Sequence, residues 1–477
     1  MPYIDVLRAS QLDLRSQKGL AVRIGGHDKA VTDSLLRRPL VSVVVAAYNN
    51  GHILDLTLRS LTRQTMPPGE FEVIVADDGS EPPLESVVDR FADDLRVVCL
   101  RHTPNRGRAC ARNLAIGKAQ GDVVLIIDAD SYAHPDLVRR HWEFHAARDG
   151  MPGVLSGRRY EIDWAGAAAL KQGRTPEPPL VGEYRDDLRD VALSLPHVRR
   201  DMVHAPWLYT FTHNVSLDRA TLDAVGGFDE AYVSWGVEDL ELFYRVFLHH
   251  DRAGDAFHLD PDALCYHLPH FRSVRQQFAG LEGNLAHLYR SHPTYDIELV
   301  LGAVGTLVPV LKKITWYGRA IEVCRERGLG RATRLPARCR QAVERSAGLL
   351  VGFDTTAVAL HPDSVTFDHG AAPSGTNLHL LGLRVPFDAG RFGHVVNVDL
   401  WRFLTPEDLS GSLIEALRVA TEAHLVCTDR RIDPASILPA PFVDDVDYVK
   451  DMLDTHFDVE LWDTPEGEQI LTVRAQR

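Results

Sequence analysis

Residues 71–80 read FEVIVADDGS and residues 123–130 read VVLIIDAD, so each of these apolar runs ends in paired acids. A continuous run of Val, Ile and Leu is typical of a buried strand in a parallel sheet. Ligands of open α/β sheets bind outside the carboxyl ends of such strands, and carboxylates gathered there repel one another unless a cation or ligand lies between them. The two stretches therefore predict a parallel sheet with a metal and a diphosphate at its edge, although Asp followed by Gly is also ordinary turn chemistry.

The sequence around these runs alternates between strand and helix patterns. Four segments have strand composition, namely residues 41–47, 71–76, 96–101 and 123–127. Three segments between and beside them have helical spacing, namely residues 53–64, 84–91 and 109–119. Such alternation predicts an α/β fold with a doubly wound, mostly parallel sheet.

Length and charge indicate more than one domain. A chain of 477 residues exceeds one ordinary hydrophobic core. Its net charge of −14 is uneven, because residues 346–477 hold 21 acids against 9 Lys and Arg. Neither part has the basic excess that is typical of binding to duplex nucleic acid.

Cysteine usage and hydropathy favour a cytoplasmic protein. The six cysteines contain no Cys-x-x-Cys pair, so we expect no zinc module and no disulfide framework. Residues 1–10 lack the apolar core of a signal peptide. Residues 299–311 fall short of the ~20 apolar residues that span a membrane. Because Lys312, Lys313, Trp316 and Tyr317 follow, the segment is either a core helix or a peripheral contact with the inner face of the membrane.

Several motifs occur in an order that resembles family 2 glycosyltransferases of the GT-A fold. They are Tyr48-Asn49 after the first strand, Asp77-Asp78-Gly79-Ser80, Asn105-Arg106-Gly107, Ala111-Arg112-Asn113 and Asp128-Ala129-Asp130. A later group looks like the galactosyltransferase-type half of β1,4-galactosyltransferases and bacterial chondroitin polymerases. It consists of Gly226-Gly227-Phe228-Asp229-Glu230, Trp235-Gly236-Val237-Glu238-Asp239 and Cys265-Tyr266-His267. The resemblance covers roughly residues 38–300.

This resemblance implies a UDP-sugar donor held by a divalent metal. Asp130 would bind the metal, and Asp128 with Ala129 would place the sugar or ribose. Carboxylate and diphosphate oxygens suit Mg²⁺ or Mn²⁺, and an imidazole ligand favours Mn²⁺. His267 is that imidazole by motif position, with His270 as the alternative and a structural histidine as the other interpretation.

The same resemblance implies a pocket for the nucleotide. Asp78 matches the position that contacts the uracil ring, and Ala46, Ala47 and Tyr48 would line the base pocket. Arg108 and Arg112 lie where a helix start could meet the diphosphate, since the planar guanidinium binds phosphate oxygens in pairs. The alternative for these two arginines is a solvated helix face.

Residues 235–239 are expected to handle the acceptor. Displacing a nucleoside diphosphate from a sugar needs a base for the incoming hydroxyl, and Asp239 is that base by motif position. Glu238 would hold acceptor hydroxyls, and Trp235 would offer an aromatic platform. Acids at a helix start are the alternative interpretation. Val237 stands where a second Gly is usual, so the acceptor cannot be carried across from the family.

About residues 375–474 look like the second half of a Rossmann-type methyltransferase, within a predicted domain that spans 346–477. Strand patterns at 394–401 and 424–428 flank a helix at 413–420, and residues 457–462 and 469–473 form a predicted hairpin. No Gly-rich loop follows a first strand, so we expect no methyl transfer. The predicted role is a partner-binding or dimerising module.

The predicted organisation has an N-terminal arm (1–38), a GT-A domain (39–327) with an irregular acceptor loop (165–205), a linker (328–345) and the methyltransferase-like domain (346–477). The predicted function is metal-dependent, inverting transfer of a hexose or N-acetylhexosamine from a UDP-sugar to an acceptor hydroxyl. A bifunctional glycosyl- and methyltransferase and a non-catalytic sugar-binding scaffold are the alternatives. Polysaccharide, natural product, lipid and protein acceptors all stay open.

Overall fold

The structure, a computed structural model, describes residues 38–174, 189, 194–271, 278–301, 307–429 and 442–476. The predicted N-terminal arm and the middle of the predicted acceptor loop fall outside these residues. The described chain forms two compact units that interleave along the sequence. Of the described residues, the first unit contains 38–174, 211–233 and 258–271, and the second contains 189, 194–210, 234–257, 278–301, 307–429 and 442–476.

The first unit is built on an eight-stranded sheet in the order β3-β2-β1-β4-β7-β6-β8-β5. Its strands are β1 (Val41–Ala47), β2 (Phe71–Asp77), β3 (Val97–Arg101), β4 (Val123–Asp128), β5 (Ser131–Ala133), β6 (Val154–Glu161), β7 (Asn214–Asp218) and β8 (Phe257–His267). β1 to β4 are mutually parallel, whereas β7 is antiparallel to β4 and β6, and β5 is antiparallel to β8. The order reverses between β1 and β4, which is where ligands bind in open α/β sheets.

Helices follow the strands in the order that the sequence predicts. Among the described residues up to 230, the α-helices are α1 (Gly51–Leu61), α2 (Glu85–Val88), α3 (Arg108–Ile116), α4 (Leu137–Ala147), α5 (Trp164–Lys171), α6 (Pro196–Asp201) and α7 (Arg219–Val225). The later ones are α8 (Glu238–His249), α9 (Leu281–Ser291), α10 (Tyr295–Leu301), α11 (Leu307–Arg327), α12 (Ala337–Arg345), α13 (Pro406–Val419) and α14 (Val446–Leu453).

The core of the first unit explains the continuous apolar strands. Val43, Val73 and Leu125 on three neighbouring strands are fully buried, and Leu54 and Leu58 of α1 pack into the same cluster. The opposite faces of β1, β2 and β4 are buried as well, as expected for a sheet covered by helices on both sides. The predicted α/β fold class is confirmed.

A second, smaller α/β sheet lies in the second unit, in the order β10-β9-β11-β12-β14-β13. Its strands are β9 (Gly348–Val351), β10 (Val365–Phe367), β11 (His394–Val398), β12 (Ala423–Cys427), β13 (Phe457–Asp463) and β14 (Gln469–Ala475). β10, β9, β11 and β12 are parallel, and β14 runs antiparallel between β12 and β13. The predicted strand, helix and hairpin segments of this part of the chain are therefore present.

Residues 328–345 form part of the core of this second sheet, although the sequence predicts a linker there. Cys339 and Val343 on α12 are buried in one cluster with Leu350 and Val396. They are four residues apart, so they lie on one helix face. The predicted linker is therefore wrong for this helix, because its apolar face packs against the second sheet.

Residues 312–317, which the sequence analysis considered for membrane contact, are partly buried. Tyr317 is buried and donates a hydrogen bond to Asp408 of α13, and Lys313 pairs with the same carboxylate at 2.7 Å. Lys312 is exposed with its ammonium 4.4 Å from the centroid of the Trp316 ring. Among the described helices, none is both long enough and apolar enough to cross a membrane.

Candidate active site

Asp128-Ala129-Asp130 lies at the carboxyl end of β4, at the point where the strand order reverses. The backbone there is anchored, because the Ala129 carbonyl accepts a 2.7 Å hydrogen bond from Thr57 of α1. β5 begins directly afterwards, and Ser131 pairs with His267 of β8. This register brings a residue from late in the chain beside Asp130.

Asp130, His267 and His270 form the candidate metal centre. The Asp130 Oδ2 atom lies 3.5 Å from His267 Nε2 and 3.2 Å from His270 Nδ1. One ligand atom from each of the three residues lies within 4.8 Å of the others. A carboxylate with two imidazoles suits Mn²⁺ or another first-row metal better than Mg²⁺. Both histidines named from the sequence therefore reach the same carboxylate.

Glu161 at the end of β6 orients His267. Its Oε2 atom lies 2.7 Å from His267 Nδ1, on the opposite side of the ring from Asp130. Burial alone would lower the pKa of His267, but hydrogen bonds with Asp130 and Glu161 outweigh it and raise the pKa. A histidine ligand usually donates its second ring N–H to such a carboxylate. The sequence did not reveal Glu161, which is 106 residues from its partner.

Asp78 fixes the loop that precedes α3. Its buried carboxylate accepts hydrogen bonds from the backbone N–H groups of Arg106 at 2.9 Å and Gly107 at 2.8 Å. Gly107 has a φ of 90°, and a Cβ there would lie 2.6 Å from the Val233 carbonyl oxygen. Asp78 thus sets the start of α3.

The two arginines of α3 differ in their surroundings. Arg112 is buried, its guanidinium lies 3.1 Å from Asp128 Oδ1, and it packs 5.3 Å from the centroid of the Phe228 ring. Arg108 at the first position of the helix is only half-buried. The interpretation of Arg112 as part of a solvated face therefore fails, and its positive charge lies beside the Asp-x-Asp motif.

The candidate base pocket lies at the carboxyl end of β1. Ala47 is buried and Ala46 is half-buried, while the Tyr48 side chain is 51% exposed. Ala46 pairs with Asp128, and Ala47 pairs with Asp77. Small side chains here leave room beside the two acidic strand ends, and the exposed tyrosine ring can stack on a base.

Residues 235–239 belong to the second unit, at the start of α8. The Glu238 side chain is buried, and its Oε2 atom accepts a hydrogen bond of 3.1 Å from the Gly236 N–H. Asp239 is half-buried, and its Oδ1 atom accepts from the Leu240 N–H at 2.8 Å. The Trp235 ring meets the exposed Phe278 ring edge-on at 5.7 Å.

In the C-terminal sheet, the acid that directly follows β10 bonds to other residues of the chain. The Asp368 carboxylate is buried and accepts hydrogen bonds from the Thr355 N–H at 3.0 Å and the Thr355 hydroxyl at 2.9 Å. It also accepts from the Gly370 N–H at 2.8 Å. The Asp368 carboxylate therefore links the segment at Thr355 to the loop that follows β10.

Comparisons with protein families match the two halves of the motif series. The model of glycosyl transferase family 2 matches residues 42–209. The model described as the N-terminal domain of galactosyltransferase matches residues 200–256. These ranges contain every candidate residue except His267 and His270.

Individual relatives extend the match. Validoxylamine A glucosyltransferase of Streptomyces hygroscopicus subsp. limoneus is 30% identical over 390 residues, which covers 75% of this chain and 84% of the relative. Chondroitin synthase of Escherichia coli is 29% identical over 243 residues, covering 48% of this chain and 34% of the relative. The crystal structure of S. aureus TarS 1-349 in complex with UDP-GlcNAc is 18% identical with a TM-score of 0.40, covering 58% of this chain and 70% of that one. A likeness that distant assigns no donor.

Proposed function

The chain belongs to glycosyl transferase family 2 and is a glycosyltransferase, and on that premise we propose that it transfers a hexose from a UDP-sugar to a hydroxyl of a small acceptor, with inversion and with a divalent metal. The cluster of Asp130, His267 and His270 is the observation that carries this proposal. Asp130 of this cluster lies just after β4, at the carboxyl edge of the parallel half of the first sheet, where ligands of open α/β sheets bind.

The residues of the first unit bind and orient the donor. Asp130, His267 and His270 would hold Mn²⁺, which when bound supplies positive charge to the departing diphosphate. Arg112 holds Asp128 in place through its ion pair, so Asp128 can direct its second oxygen toward the sugar or ribose. Tyr48 and the two alanines before it receive the base, while Arg108 adds positive charge near the phosphates.

Asp239 acts as the base toward the acceptor. Its carboxylate is half-buried at the first turn of α8, where the helix dipole favours the ionised form. An ionised carboxylate can take the proton of the acceptor hydroxyl as that oxygen attacks the anomeric carbon. Attack from the face opposite to the diphosphate inverts the anomeric configuration. Glu238 and Trp235 orient the acceptor.

The relatives favour a small acceptor and a glucosyl donor. The match to validoxylamine A glucosyltransferase covers three-quarters of the 477 residues, which is more than the 327 residues that precede the linker region. That match therefore includes part of the C-terminal sheet, whereas the match to chondroitin synthase covers about half of the chain. We accordingly infer UDP-glucose as donor and a sugar-like natural product as acceptor, ahead of a polysaccharide.

The bifunctional alternative has less support. A second cofactor site would need a free carboxyl edge in the C-terminal sheet. At the end of β10, however, Thr355 already donates two hydrogen bonds to the Asp368 carboxylate. We propose that this sheet has a structural role or binds a partner, including a second copy of the chain. Binding of S-adenosylmethionine to the full chain in calorimetry would restore the bifunctional interpretation.

The test is UDP release from a panel of UDP-glucose, UDP-galactose and the two UDP-N-acetylhexosamines, with Mn²⁺ and with EDTA. We expect UDP-glucose to be cleaved fastest and only with the metal. The matched variants are Asp130→Asn, which should remove the metal dependence together with most of the rate, and Asp136→Asn, which should not. The Asp136 carboxylate accepts a hydrogen bond from the Thr65 hydroxyl at 2.7 Å and lies outside the candidate metal centre. Release that is equally fast in EDTA would exclude the proposed metal centre.

A further inference from the structure

The backbone before α8 adopts a conformation that its sequence does not favour. Val237 lies in the left-handed region with φ 62° and ψ 2°, directly after Gly236 with φ 110°. A β-branched residue in this region is an outlier, and such strain persists only where the surroundings impose it. The strained residue immediately precedes Glu238 and Asp239, so its conformation sets the direction in which both carboxylates leave the loop.

One side chain on α9 holds this loop. The Asn284 amino group lies 2.9 Å from the carbonyl oxygen of Gly236, 3.2 Å from that of Ser234 and 3.3 Å from that of Trp235. Its Oδ1 atom accepts a 3.1 Å hydrogen bond from the Ser234 hydroxyl. Asn284 is buried, with 7% of its surface exposed. Three successive carbonyls therefore converge on one amide.

Two glycines lie where α9 packs against residues 234–237. A Cβ at Gly280, just before α9, would lie 2.2 Å from the Ser234 hydroxyl oxygen. A Cβ at Gly236 would lie 2.8 Å from Leu281 on the same helix. Both glycines thus allow α9 to approach the loop closely. Residues 234–237 are held by Asn284 and also by the hydrogen bond that the Gly236 N–H donates to Glu238.

We propose that Asn284 is a positioning residue for transfer: it holds Val237 in the left-handed conformation so that Asp239 faces the acceptor. This inference rests on the proposed function in one respect, namely that Asp239 is the base. A misplacement of about 1 Å in a reacting group can cost about 100-fold in rate. Asn284 should therefore affect turnover rather than binding of the donor, which the first unit provides.

The experiment compares Asn284→Leu with a matched control. Asn377→Leu removes an amide that is also 7% exposed and also bonds three carbonyls, those of Asp368, Ala371 and Ala372, but within the C-terminal sheet. With UDP-glucose, Mn²⁺ and water as acceptor, Asn284→Leu should lower kcat of UDP release about 100-fold. Its donor Kd should stay at the wild-type value, and Asn377→Leu should change kcat less than twofold.

Rescue separates positioning from a general loss of structure. Glycine adopts the left-handed region without strain, so Val237→Gly added to Asn284→Leu should restore kcat at least tenfold, compared with Val237→Gly alone as reference. Equal kcat in Asn284→Leu and Asn377→Leu, or no recovery in the double variant, would overturn the proposal. If Asp239→Asn keeps full activity, the proposed base is wrong, yet the rescue comparison still reports on Asn284.

Discussion

At the scale of single residues, the candidate metal centre depends on a carboxylate outside it. His267 is oriented by Glu161, which in turn pairs with Arg159 at 2.7 Å. Motif order in the sequence predicts Asp130 and His267 as metal ligands, with His270 as the alternative, because motifs preserve the local spacing that chemistry needs. The sequence does not point to Glu161 or Asn284, because their hydrogen-bond partners are distant along the chain and belong to no local pattern.

We predict that Glu161→Gln weakens Mn²⁺ binding 10- to 100-fold, the usual effect of losing a carboxylate behind a histidine ligand. The amide can still accept a hydrogen bond from the ring, but it provides no negative charge. Isothermal calorimetry or electron paramagnetic resonance of Mn²⁺ measures the affinity directly. Glu143→Gln, an exposed carboxylate on α4, is the charge-matched control. Equal affinities of the two variants would show that Glu161 does not support the site.

At the scale of elements, the parallel half of the first sheet was predictable and the antiparallel half was not. β1, β2 and β4 are continuous apolar runs, so the sequence marks them without knowledge of their partners. β6 reads VLSGRRYE and β8 reads FHLDPDALCYH. Their polar residues interrupt the apolar pattern, so both segments are recognised as strands only once their pairing is known. α12 was missed for a related reason, since its two buried residues are visible only against the second sheet.

The packing of α4 against β7 makes stability dependent on pH. His141 lies 2.7 Å from Ser216 Oγ and 2.9 Å from Asn214 Oδ1, and His145 lies 2.8 Å from the same Ser216 oxygen. Burial lowers the pKa of His141 to about 3, against a smaller opposing effect of the Asn214 hydrogen bond. Burial also lowers the pKa of His145 to about 4. Both rings therefore stay neutral in the folded protein.

We predict that the protein loses stability as the pH falls from about 6.5 toward 4. In that range the unfolded chain protonates these histidines while the folded chain does not, and each unit of pKa difference is worth about 1.4 kcal/mol. Thermal melts between pH 7.5 and 5 test this prediction. His145→Gln should flatten the dependence, whereas His52→Gln, an exposed histidine, should leave it unchanged. A Tm that is constant across this range would contradict the assignment.

At the scale of the whole molecule, the C-terminal sheet shares a compact unit with residues 235–239. The Tyr289 hydroxyl on α9 donates to the Arg384 carbonyl, and Glu298 on α10 accepts from the N–H groups of Leu381 at 2.8 Å and Arg384 at 2.7 Å. α9 also carries Asn284. The sequence placed a domain boundary at residue 346 because composition changes there, but composition does not report which contacts hold a helix.

We predict that removing residues 346–477 destabilises the remaining chain and lowers transfer. The truncation would leave Glu298 without its backbone donors and would expose the apolar face of α12. The measurements are the melting temperature and the rate of UDP release with saturating UDP-glucose and Mn²⁺. A truncated protein with unchanged Tm and full activity would show that the C-terminal sheet is an independent module.

The central claim is that Asp239 is the base of a metal-dependent glycosyl transfer. The most direct test is kcat of UDP release from UDP-glucose with Mn²⁺ by the wild-type protein and by Asp239→Asn, together with the donor Kd of each. A general base contributes about 10²- to 10⁴-fold, so we predict a loss of at least 100-fold in kcat with an unchanged donor Kd. An Asp239→Asn variant that releases UDP at the wild-type rate would contradict the account.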